Sequence, residues 1–191
     1  MLDIRGFLDS PEQKTGAIRN ERALQLELGC YLRDQGFRIE FERAFTVDSL
    51  TGSTRKPKRD LDLLVSENDG TTAIELKVPL AGRVPETMYD FCADIEFVEG
   101  LVRLKLVDRG FCLLVTNNRQ FWTGSQSGIY DFFRTKNAFL TGCISKPTGA
   151  RDSTVLITGR YCLGAIWSEL GNNRLMESGR YLLVEVENAS S

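Results

Sequence analysis

"RDLDLLVSENDGTTAIELK", Arg59 to Lys77, contains two apolar runs that read as buried sheet, yet acids and a lysine are set among them. In the first run Asp60 and Asp62 alternate with Leu61 and Leu63; in the second Glu75 and Lys77 alternate with Ile74 and Leu76. Successive side chains of a strand point to opposite faces, so the charged residues of each run should share one face and the aliphatic residues the other. Asn68-Asp69-Gly70 between the runs is a tight-turn signal that folds them into an antiparallel hairpin and lays the acidic faces side by side. Two like charges about 4 Å apart repel by roughly 4 kcal/mol at an effective dielectric of about 20, a large fraction of a domain's stability. Lys77 offsets one of the three acids. The remaining oxygens suit a hard divalent cation such as magnesium.

Working outward, Asn20 to Gln35 reads as a helix ended by Gly36, with Leu24, Leu28, Tyr31 and Leu32 on one face. "FRIEFERAF" alternates and reads as a strand, with Ile39, Phe41 and Phe45 on one side. After the hairpin, "VPETMYDFCADIEFVEGLVRLKLVDRG" reads as a helix with Pro85 in its first turn and Gly110 at its end, packing through Met88, Phe91, Cys92 and Ile95. "FCLLVT" is wholly apolar, as in a strand covered on both faces. Beyond it, "GIYDFFR" reads as a short helix and "TGCISKPTGARD" as a loop. "STVLITGRY", "LGAIWSEL" and "RYLLVEVE" read as strands that extend a sheet. The class is mixed α/β in one domain, a core over about residues 20–118 followed by a β-rich extension over about 119–191.

The 191 residues are enough for a well-buried core, and 42% hydrophobic with 26% charged content is ordinary for a globular protein. No apolar run reaches membrane-spanning length and the start "MLDIRGFLDSPEQ" is unlike a signal peptide, so a cytoplasmic protein without membrane association is expected. The five cysteines, Cys30, Cys92, Cys112, Cys143 and Cys162, form no C-x-x-C pair and are expected to be reduced and buried. There is no histidine. That excludes Ser-His-Asp and Cys-His nucleophilic systems and histidine-ligated zinc hydrolases, leaving carboxylates, lysine and metal-bound water for any hydrolysis. The net charge of −2 argues mildly against tight nonspecific nucleic-acid binding. Basic residues are nonetheless clustered at Arg55, Lys56, Lys58 and Arg59, a candidate nucleic-acid contact, and again at Arg103, Lys105 and Arg109, which read as a solvated face.

Asp62-Leu-Leu-Val followed by Glu75-Leu76-Lys77 resembles the signature of the PD-(D/E)XK, or restriction-endonuclease-like, nuclease superfamily, and the helix-strand-strand-strand-helix-strand order over residues 20–118 is similar to its αβββαβ core. The resemblance implies a mixed central sheet flanked by helices, with the C-terminal strands as additions. It further implies that Asp62, Glu75 and the backbone carbonyl of Leu76 ligate Mg2+, for which Mn2+ can substitute, while Lys77 orients the attacking water and steadies charge developing on phosphate. An additional glutamate from the first helix would be Glu21 or Glu27. Helical geometry favours Glu21, which falls between Leu28 and Leu32 on the apolar face, with Gln25 one turn below it. The family's proline before the first aspartate is displaced to Pro57, and Asp60 competes with Asp62 for the ligand role; Asp62 is preferred because the apolar run follows it directly, leaving Asp60 in support or in solvent.

Asp90, Asp94 and Glu96 either face the site or, on the preferred reading, form a solvated helix face; Phe121 and Trp122 either stack on a nucleotide or, on the preferred reading, pack the core or anchor a loop; Lys146 and Arg151 are weak candidate phosphate contacts. The expected function is a Mg-dependent endonuclease that hydrolyses phosphodiester bonds of DNA, possible as a homodimer, with a restriction, defence or repair role by analogy alone. The alternative is a catalytically inactive nuclease-fold protein that binds nucleic acid or a protein partner. A third reading is an interaction domain whose acidic pocket holds a structural cation.

Overall fold

The computed structural model describes residues 2–10, 16–46, 58–67, 70–79, 82–148, 153–172 and 174–186. Helices α1 (Ile4–Asp9) and α2 (Glu21–Asp34) precede strands β1 (Arg38–Thr46), β2 (Lys58–Glu67) and β3 (Gly70–Lys77). Helix α3 (Val84–Arg103) then crosses to β4 (Arg109–Thr116), followed by α4 (Ile129–Arg134), β5 (Leu140–Ser145), β6 (Thr154–Tyr161), β7 (Ser168–Glu169) and β8 (Arg180–Val186). A six-stranded mixed sheet runs in the order β1-β2-β3-β4-β8-β7, and β5 and β6 form a separate two-stranded sheet.

The expected hairpin is present: β2 and β3 pair antiparallel from Leu63 opposite Ile74 to Glu67 opposite Gly70, while Asn68 and Asp69 lie outside the described residues. β3 and β4 pair in parallel, and a parallel pair needs a long crossover, which α3 supplies. Asn20 caps α2 by accepting from the Ala23 N–H at 2.8 Å, and Gly36 with φ 91° turns the chain out of the helix. The sheet is covered on both sides. Leu24, Leu28 and Leu32 of α2, with Phe7 and Leu8 of α1, pack against Leu63, Ile74, Leu76 and Leu113. On the other side Met88, Phe91, Cys92 and Ile95 of α3 pack against Leu64, Ala73, Cys112 and Leu114, and the β5–β6 hairpin adds Ile144, Val155 and Ile157.

Several expectations need correction. α3 stops at Arg103 rather than Gly110, with Lys105 in the left-handed region at φ 56°. Gly110 instead belongs to β4, where a Cβ would lie 2.1 Å from Val98 Cγ1, so this glycine lets helix and sheet approach. The stretch read as the loop "TGCISKPTGARD" begins as strand β5, because Ile144 is needed under α3. "LGAIWSEL" forms a short 3-10 turn at Leu163–Ala165 and only the two-residue β7. β6 does not extend the central sheet, whereas β8 enters it beside β4 and so ties the C-terminal region into the core. Cys92 and Cys112 are buried, but Cys30 and Cys143 are exposed and Cys162 is half-buried; all five are free. Phe41 is more exposed than its pattern suggests because β1 is an edge strand. Among the described residues no helix is long and apolar enough to cross a membrane.

Candidate active site

The regular alternation of β2 fails at Asp62. Leu61 packs on the α3 side and Leu63 on the α2 side, where residues two positions apart should share a face. Asp60 and Asp62 therefore do not stand opposite a uniform aliphatic face. The pairing of β2 with β3 stops at Leu63 opposite Ile74, one step short of Asp62 and Glu75. On the other flank, Glu42 of β1 lies between the pairs Phe41–Leu63 and Arg43–Leu61 and takes a positive φ of 50°, rare for a residue with a side chain. The backbone groups released by this opening are taken up locally. The Leu76 N–H donates to Asp62 Oδ2 at 2.7 Å. Gln25 Nε2 of α2 donates to the Asp62 carbonyl at 2.8 Å and to Glu42 Oε1 at 2.9 Å. A residue's N–H and C=O point to the same side of a strand, so the Leu76 carbonyl opens toward β2 as well.

Four carboxylates and two cations gather at this opening. Lys77 Nζ lies 3.1 Å from Asp94 Oδ2 and 3.6 Å from Glu21 Oε2. Arg59 binds Asp94 through its guanidinium, donates to the Ala93 carbonyl at 3.0 Å, stands 3.8 Å from Glu75 Oε2 and covers the Phe97 ring at 4.5 Å. Glu75 and Asp94 are buried, only 5% and 3% exposed. Among the described residues Glu75 Oε1 has no hydrogen-bond partner, and Asp94 Oδ2 meets the Lys77 ammonium without hydrogen-bond alignment.

The electrostatics follow from that burial. Asp62 has its pKa pushed up to about 7 by desolvation, against the Leu76 N–H that favours the ionised form, with Glu21 and Asp94 adding repulsion. Glu75 is pushed well above the usual carboxylate range, first by burial and then by Asp94 and Asp62. Burial also raises Asp94, although Lys77 and Arg59 pull it down. For Lys77 burial alone would lower the pKa, but Asp94, Glu21 and Glu75 outweigh it and raise it. Among the described residues, with every group ionised, four negative charges face two positive ones, so the cluster they form is short of positive charge.

Of the residues singled out from the sequence, the structure brings Asp62, Glu75, Leu76, Lys77, Glu21 and Gln25 together. Glu27 is elsewhere, its carboxylate beside Gly16. Asp60 is exposed on β2, where it pairs in register with Ala44. Arg59, expected as a nucleic-acid contact, instead turns inward onto Asp94. Arg55 and Lys56 lie outside the described residues, as do Arg151 and the side chain of Lys58.

Asp94 corrects the expectation of a solvated face. Its signal was present in the later turns of α3: at 100° per residue it falls between Val98 and Leu101, inside the apolar arc, although it lies outside the arc drawn from Met88, Phe91, Cys92 and Ile95 alone. Among the described residues no three acid, cysteine or histidine side chains are disposed to hold a metal ion. Two carboxylates, Asp62 and Glu75, with the Leu76 carbonyl are the oxygens that would be offered to a cation here. That small hard-oxygen set suits magnesium, which keeps several waters. Glu75 Oε1, without a hydrogen-bond partner among the described residues, fits the same occupant. No protein-family model, no curated protein and no solved structure matches this chain.

Proposed function

We propose that the chain is a magnesium-dependent nuclease of the PD-(D/E)XK kind that hydrolyses phosphodiester bonds of DNA. The observation that carries this reading is the meeting of Asp62, Glu75, Lys77 and Glu21 from β2, β3 and α2 at an opening in the sheet that is short of positive charge. Asp62, Glu75 and the Leu76 carbonyl would hold Mg2+. When bound, the metal supplies charge that shields the anionic phosphodiester and acidifies a water. Lys77 contributes a point charge to the phosphate and holds the attacking water in line. Asp94 and Glu21 keep that ammonium charged and in place. With no histidine in the chain, proton movement falls to the carboxylates and water.

One feature favours the second reading, a nuclease fold without activity that binds nucleic acid or a protein. Lys77 and Arg59 both pair with Asp94, so part of the cluster is neutralised within the chain. Incubation with plasmid, single-stranded DNA and RNA under magnesium, manganese or chelator separates the two. The nuclease reading requires metal-dependent cleavage that Asp62→Ala and Lys77→Ala each abolish. Binding without cleavage supports the second reading, and cleavage that survives both substitutions refutes this site.

A further inference from the structure

A cleft of the opposite charge lies at the same edge of the sheet. Lys77 on β3 stands opposite Leu114 on β4, and Thr116 on β4 stands opposite Arg180 on β8, so Lys77 and Arg180 are both at the carboxyl ends of the parallel strands. They also share a side. Tyr181 packs into the α2 side, whereas Leu182, two residues after Arg180, packs with α3. The cleft has a volume of about 440 Å³, and its lining includes Arg119, Trp122, Thr123, Glu169, Ser178 and Arg180. The Arg180 guanidinium lies 5.1 Å from the centroid of Trp122, and Trp122 in turn meets Trp167 at 5.4 Å. Arg180 reaches Glu169 at 3.1 Å, but that carboxylate is 83% exposed and the pair is screened by water. The Arg119 side chain is exposed and has no ion pair among the described residues. Among the described residues, two guanidinium groups against one carboxylate leave the cleft positive, while the cluster at Asp62 is negative.

The span between the two places matches a nucleic-acid strand. Two strand spacings of about 4.8 Å across, and two residues at about 3.3 Å along, separate the Lys77 and Arg180 backbones by about 12 Å. Neighbouring phosphates of one DNA strand lie about 6–7 Å apart in space, of which the rise of about 3.4 Å is only the axial part, so the span matches phosphates about two nucleotides apart. Arginine is suited to the task because its planar fork meets two phosphate oxygens at once.

We propose that this cleft holds a backbone phosphate of the DNA strand about two nucleotides from the phosphodiester at Lys77, with Arg119 and Arg180 as its ligands. The identity of the polymer rests on the nuclease reading; the cleft's preference for phosphate rests on its own residues. An aromatic-backed guanidinium also supplies a readout. The chain has two tryptophans, Trp122 and Trp167, and both are in this stack, so tryptophan emission reports from here and not from Asp62.

The test uses the full chain in chelator, with labelled single-stranded and duplex oligonucleotides titrated at several salt concentrations. Arg119→Glu should weaken binding at least tenfold without moving the unfolding temperature. Its slope of log affinity against log salt should fall by about 0.7 for a single strand, or about 0.9 for duplex, for each phosphate that is no longer neutralised. In wild type, tryptophan emission should change on DNA binding, and the change should shrink in Arg180→Lys. Unaltered affinity and slope in Arg119→Glu would overturn the proposal, as would tryptophan emission indifferent to bound DNA. If adenosine monophosphate alone produces the full emission change at the oligonucleotide's working concentration, the cleft is a small-phosphate site and the strand assignment fails. Absent cleavage with these binding effects intact sinks the nuclease reading only; cleavage with none of them sinks this inference only.

Discussion

Replacing Asp62 by asparagine should abolish metal-dependent cleavage and at the same time make the metal-free protein more stable. The Asp62 carboxyl is raised from the ordinary 3.8 to about 7, chiefly by burial. Between those values the folded protein keeps a proton that the unfolded chain gives up, so stability falls as pH rises through that window. Each pH unit of displacement corresponds to about 1.4 kcal/mol, which puts the cost of ionising Asp62 above pH 7 at about 4 kcal/mol. Asparagine keeps an oxygen for the Leu76 N–H and carries no charge, so it escapes the cost. For a chain of this size, 1 kcal/mol moves the unfolding temperature by about 2–4 °C, giving a gain of about 8–16 °C at pH 8 and little at pH 4. The assay is chemical or thermal unfolding at pH 4, 6 and 8 in chelator, with both proteins side by side. Glu75 is raised in the same direction and remains in the variant, so the variant retains a reduced slope with pH. Equal pH slopes in the two proteins, or an asparagine variant less stable at pH 8, would refute the reasoning.

Magnesium uptake should expel the proton that Asp62 holds: about nine-tenths of a proton at pH 6 and about a tenth at pH 8, given a pKa of about 7. Calorimetric titration in two buffers of different ionisation enthalpy measures this, and no release at pH 6 would count against Asp62 as a ligand. Gly110→Ala should destabilise the fold by about 1–3 kcal/mol, since the added Cβ would lie 2.1 Å from Val98 Cγ1; Val98→Ala in the same chain should recover part of the loss if that contact is the cause.

Where pattern and packing agree, the fold was legible. The Asn20 cap and Gly36 bracket α2, the apolar run of β4 marks a strand covered on both faces, and the order of elements from α2 to β4 follows directly. The C-terminal half was less legible because its strands answer to distant partners. β5 and β6 curl over α3, held by the buried Glu99, which accepts from the backbone N–H groups of Thr158 and Gly159 and from the Tyr161 hydroxyl. An acid that anchors a hairpin from a helix leaves no periodic trace in the hairpin itself. Arg59 and Asp94 were misread for a related cause: each satisfies a charge brought near only by the crossover through α3, and a basic run beside a loop looks the same whether it faces water or a buried aspartate.

The break in β2 links fold and chemistry. A regular antiparallel ladder continued by one step would pair Asp62 with Glu75 and leave their carboxylates side by side on a closed sheet face, at a repulsion the core could not easily bear. Ending the ladder at Leu63 and Ile74 frees the Leu76 N–H, and Asp62 Oδ2 takes it. One oxygen of the aspartate thus does the work of a ladder carbonyl, and its other oxygen remains outside the hydrogen bonding of the described residues. The Gln25 amide from α2 holds the displaced backbone of Asp62 on the opposite flank and the side chain of the left-handed Glu42 with it. At the end of the same strand, Glu21 from α2 and Asp94 from α3 both reach Lys77. The irregular backbone therefore lets Asp62 and Glu75 join a cluster in which four acids from four elements meet two cations, and any substitution that restored regular pairing at Asp62 would take the Leu76 N–H from its carboxylate.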